Sequence, residues 1–105
     1  MKGILNSSEI IGTLQTAQGE AELCASADAE YEQDDRKLAV RLDVFARLTS
    51  IAGKEQRVSL NWLPRAQTVT ENVSIEEAGE VARDIFRRWV RKIREAAPAL
   101  HHATF

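Results

Sequence analysis

Cysteine occurs once in this chain of 105 residues, at Cys24, and histidine only twice, at His101 and His102 in the last five positions. A single thiol excludes an internal disulfide and a thiolate metal cluster. Histidines confined to the end of the chain leave no base beside Cys24 to activate it as a nucleophile, and none in the body of the chain for general acid–base work. No stretch approaches the roughly 20 apolar residues that a membrane span needs. The apolar pair Ile4-Leu5 near the start is too short for the core of a secretory leader. A glycine-rich phosphate loop, zinc-ligand spacing, a Ser-His-Asp set and a nucleophile elbow are also missing. These absences predict a cytoplasmic, non-enzymatic protein with no cofactor, no metal and no membrane partner.

Apolar content of 44% and charged content of 29% are those of a folded soluble domain. A chain of this length has room for one core and buries about two-thirds of its unfolded surface. We read a single α+β domain over residues 1–98 and a flexible tail over 99–105. The net charge of −2 is unevenly spread: residues 1–35 carry one base and eight acids, residues 36–105 thirteen bases and eight acids. Overall acidity argues against a general polyanion binder.

The most regular stretch is AELCASADAEYEQDDRKLAVRLDVFARLTS, residues 21–50. Acids at Glu20, Glu22, Asp28, Glu30, Glu32 and Asp34 alternate with Ala21, Leu23, Ala25, Ala27, Ala29 and Tyr31. Beyond Asp34-Asp35, the apolar set Leu38, Val40, Leu42, Val44, Ala46 and Leu48 alternates with Lys37, Arg41, Asp43 and Arg47. Period-two alternation predicts two half-buried strands. With Asp34-Asp35 as a two-residue loop, Tyr31 faces Leu38, Ala29 faces Val40, Ala27 faces Leu42 and Leu23 faces Ala46. On the other face Glu32 meets Lys37, Asp28 meets Arg41, and Glu22 meets Arg47. Opposite charges across a ladder contribute roughly 0.2–1 kcal/mol each, and a one-residue slip would turn an apolar face to water. The stripes therefore read as a register lock rather than a binding surface.

Upstream, Gln18-Gly19 predicts a hairpin that sets Leu14 opposite Leu23 and Gly12 opposite Ala25, with a strand over residues 9–17. A short helix there, capped by Asn6 and Glu9, is the alternative. Downstream, Ala52-Gly53-Lys54 supplies a turn, and Val58, Leu60 and Trp62 alternate with polar residues in a strand that stops at Pro64. Residues 65–73 either add a short edge strand or only carry the chain across the sheet. Residues 74–97 predict a long helix, with Ser74 and Glu77 as a capping box and Pro98 as its stop. Its apolar stripe is Ile75, Ala78, Ala82, Ile85, Phe86, Trp89, Ile93 and Ala97.

The expected architecture is a four-stranded antiparallel meander packed on one long C-terminal helix. A hairpin about 45 Å long outreaches a helix about 35 Å long. Either the sheet coils around its helix or a second chain covers the remainder, and we favour the second chain. A non-catalytic interaction or regulatory module follows, homodimeric through the helix and inner sheet face, with an unidentified protein as further partner. Ala25, Ala27, Ala29, Tyr31, Trp62, Phe86 and Trp89 line the expected core or dimer groove. Ile11, Cys24, Phe45 and Leu63 share the outward parity and form a candidate interaction surface.

Two other readings compete. Sheet-then-helix order is similar to the plan of some dimeric single-strand DNA binders, an architectural likeness with no matching residues. Arg87, Arg88, Arg91 and Arg94 would then contact phosphate, against which stand the acids Glu76, Glu77, Glu80 and Asp84 on the same helix. The third reading is a small-molecule cavity between sheet and helix, lined by Trp62, Tyr31 and the alanines.

Overall fold

A computed structural model describes residues 2–48, 56–60 and 62–97. Five strands, β1 (Lys2–Thr16), β2 (Gly19–Glu32), β3 (Lys37–Leu48), β4 (Arg57–Val58) and β5 (Gln67–Asn72), precede one helix, α1 (Ile75–Ala96). The sheet is antiparallel in the order β1-β2-β3-β4, and β5 pairs with β3 beside β4. This is the α+β meander with a C-terminal helix that the patterning implied. The turn expected at residues 52–54, Pro98 and the tail over 99–105 lie outside the described residues.

The β2–β3 ladder has the anticipated register throughout, from Glu32 opposite Lys37 to Ala21 opposite Leu48. Arg47 and Glu22 are 3.4 Å apart. At the tip, Arg36 takes a left-handed backbone (φ 50°), and its N–H reaches the Gln33 carbonyl.

Residues 2–16 are strand, so the helical alternative falls. The turn differs from expectation by one residue, because the Thr16 hydroxyl accepts from the Gln18 N–H (3.1 Å) and donates to the Gly19 carbonyl (2.8 Å). Thr16 therefore faces Gly19, whose φ of 126° suits a residue without Cβ. Leu14 consequently lies opposite Ala21, and Gly12 opposite Leu23. The two-residue offset keeps the same face inward. Farther along, β1 shifts register twice, between Ile10 and Gly12 and between Gly3 and Leu5. Ile11 and Ile4 are the extra residues at these bulges.

The fourth position of the sheet is divided. β4 pairs with Ala46 and Arg47, and β5 with Lys37–Leu42, leaving the β3 edge at residues 43–45 without a ladder partner among the described residues. The strand expected through Leu60 and Trp62 is thus only two residues long. Leu60 is buried instead, and Trp62 and Leu63 pack against the core. At the gap, the Trp89 indole N–H donates to the Asp43 carbonyl at 2.9 Å, and the Val44 N–H donates to the Asp43 carboxylate at 2.9 Å. A buried backbone group that lacks a ladder partner must be paired in some such way.

Ser74 stands at the start of α1 without a side-chain cap bond; its carbonyl accepts from Glu77 and Ala78 instead. The helix buries Ala78, Ala82, Ile85, Trp89, Val90 and Ile93 against the sheet. Tyr31 fixes its approach by donating to the Val73 carbonyl at 2.8 Å. The alanine row of β2 is buried under it, since small side chains let a helix lie close. Within one chain the inner-face residues of β2 and β3 are all buried. The chain's own helix thus covers this face of β2 and β3.

Candidate interaction surface

Three surfaces remain once the core is closed: the outer sheet face, the free edge of β1, and the flanks of α1. Directly opposed residues share a face, so the ladder assigns the outer-face positions.

On the outer face, Ile10, Cys24 and Phe45 form one row across three strands. Cys24 is buried between its neighbours at 2% exposure. The Arg57 guanidinium stands 3.9 Å from the centroid of the half-buried Phe45 ring, and 3.6 Å from the Asp43 carboxylate. A cation over a ring face is an attractive contact that also shields the ring. Of the four residues expected here, Cys24 and Phe45 come together, while Ile11 and Leu63 pack against the core. Ile10 takes the outward place at 52% exposure. Parity counted from the turn misses it, because the bulge at Ile11 changes which residue of the pair faces out. The tandem Ile10-Ile11, which strict alternation cannot place on one face, was the signal.

The groove residues Ala25, Ala27, Ala29, Tyr31 and Trp89 are also brought together, as buried core; Phe86 and Trp62 are half-buried against it. Open depressions lie along both flanks of α1, each with at most one of these residues in its wall. One, of about 180 Å³, runs toward β5 and includes Val69, Glu71, Arg88 and Lys92. The other, of about 330 Å³, runs toward β1 and is lined by Glu9, Phe86, Arg87, Val90, Arg91 and Arg94.

The four candidate phosphate ligands are thereby separated. Arg87, Arg91 and Arg94 share the β1 flank, and Arg88 stands on the other. Arg87 pairs with Asp84 at 2.9 Å, and Arg94 reaches Glu9 at 3.5 Å. Glu9 faces the helix because it lies opposite Ala25. This charged bridge between β1 and α1 had no signature in the sequence, since it needs both the bulge and the position of the helix. Stacking of bases on the sheet is disfavoured: Trp89 is buried, and Phe45 lies beneath Arg57.

Among the described residues, no three His, Cys, Asp or Glu side chains group to hold a metal ion, and no helix is long and apolar enough to cross a membrane. No family model, curated protein or solved structure matches the chain.

Proposed function

We propose that the chain is a small non-catalytic protein-interaction module whose contact surface is the open edge of β1. One observation carries this reading: a strand of 15 residues ends the sheet, with no neighbour on its far side among the described residues. Such an edge offers unpaired backbone donors and acceptors to any strand that can align with it. Ile10 stands on that strand and is one of only two large hydrophobic side chains exposed among the described residues. Among the described residues no charged side chain is buried, and the core phenol of Tyr31 is engaged by the Val73 carbonyl, which supports the non-catalytic part. General acid–base chemistry draws on titratable groups sheltered from water.

The inner face, first expected to join two copies, is occupied by the chain's own helix. The contact is therefore placed at the edge, and the free chain is expected to be monomeric. Light scattering across a range of concentrations tests this, with Ile10→Lys run beside the native sequence. A constant mass of 11.7 kDa is the expected result. A dimer dissolved by Ile10→Lys would assign the edge to a second copy. A dimer indifferent to Ile10→Lys would remove the edge from the contact altogether.

A further inference from the structure

The edge of β1 and the arginine-lined flank of α1 are neighbours, joined by the Glu9–Arg94 bridge. We infer that together they form a docking site for a short, extended, acidic peptide segment of another protein, which adds to the sheet beside β1. This rests on the reading of β1 as an interaction edge and specifies its partner.

Three observations lead to that occupant. The first is length. Register shifts flank the stretch Leu5–Ile10, which pairs regularly with Ala29–Cys24. Bulges twist an edge away from long pairings. An incoming strand therefore aligns over about six residues, or roughly 20 Å.

The second is charge. Arg83, Arg87, Arg91 and Arg94 recur at four-, four- and three-residue steps, and the last three line the groove toward β1. Glu9 answers Arg94 and Asp84 answers Arg87, whereas Arg91 has no ion pair with a described residue. On an added strand, alternate side chains point toward this groove, where carboxylates meet guanidinium groups above the apolar floor of Phe86 and Val90. The intervening side chains lie on the outer face beside Ile10.

The third excludes a second copy of this chain. Antiparallel pairing of two β1 edges has its two-fold axis normal to the sheet, so both helices stand on one side. The arginine-lined flanks of both would then face a common seam, with Glu9 and Asp84 from each copy answering only two of its three arginines. Juxtaposed like charges of that kind oppose association. Single-stranded nucleic acid would satisfy the arginines, yet leaves the strand's backbone groups and Ile10 unused.

The test uses the full chain and fluorescence anisotropy with a labelled acetyl-(Glu-Val)₄-amide. Three other probes run beside it: acetyl-(Lys-Val)₄-amide, the acidic peptide N-methylated at alternate residues, and a labelled twelve-residue oligothymidylate. The acidic peptide should bind, and more weakly as salt is raised. The lysine and N-methylated peptides should bind at least tenfold more weakly. Arg91→Glu should weaken binding at least tenfold, and Arg88→Glu, the same charge change on the opposite flank, less than twofold. Equal binding of the N-methylated peptide would overturn strand addition, and equal losses from both arginine variants would overturn the groove. Preference for the oligonucleotide, or no peptide binding, would overturn the proposal. With a monomeric mass, that last failure leaves the edge reading intact; a dimer indifferent to Ile10→Lys removes the edge reading itself.

Discussion

β2 meets β3 through twelve consecutive pairs with no irregularity, whereas the same strand meets β1 through two register shifts. One strand, presented with two partners, thus makes a continuous ladder on one side and a broken one on the other. The difference lies in the partners. β3 never places two large aliphatic residues side by side, and its three bases Lys37, Arg41 and Arg47 each face an acid of β2. β1 has tandem apolar pairs at Ile4-Leu5 and Ile10-Ile11, and only Lys2 and Glu9 as charges. A bulge sits at each tandem pair. At Ile10-Ile11 the extra residue turns Ile11 toward the core and leaves Ile10 outward. Regular pairing runs through the centre of the sheet, and interrupted pairing falls at the strand that ends it.

The largest test of this contrast is a matched truncation. Leu42→Ala removes a buried β3 side chain and should cost about 2–5 kcal/mol. Leu5→Ala, at a half-buried site on β1, should cost less than half as much. Urea unfolding midpoints decide it, and equal losses would mean that β1 is as firmly held as β3.

A smaller effect is expected at the other break in regular pairing, the gap between β4 and β5. Trp89→Phe keeps most of the buried ring but leaves the Asp43 carbonyl without its donor. A loss of about 1–3 kcal/mol follows. If Trp89→Phe is neutral by the same measurement, the indole is not what closes the gap.

The smallest effect belongs to the charge stripes. Arg47→Glu should lower stability by about 0.2–1 kcal/mol, because it faces Glu22 with a like charge. Adding Glu22→Arg should restore most of that loss. A double mutant that recovers nothing would mean that register is held by apolar alternation alone.

The stripes also explain how far sequence reasoning reached. Register in β2–β3 was legible down to each pair, since the apolar parity is unbroken and Glu32–Lys37, Asp28–Arg41 and Glu22–Arg47 agree with it. So was α1, to within a residue at either end, because its apolar residues recur on one face. Cys24 and Phe45 were legible as neighbours for the same reason. Ile10 was not, since parity propagates from a turn only until the first bulge. Trp62 packs against the core as expected, but the strand leading to it is cut short and Leu63 turns inward, because a run that alternates like a strand can be diverted to fill the end of a core. The Glu9–Arg94 bridge depended on which flank of the helix faces β1, and no local pattern encodes that.

Side-chain alternation, charge order and helical spacing are short-range properties, and they settled the element types, the central hairpin and its register. The bulges, the divided fourth strand and the coverage of the inner face were decided by packing. Each depends on how a twisted sheet closes around one helix, a balance among residues remote in sequence that becomes definite only when the core is complete.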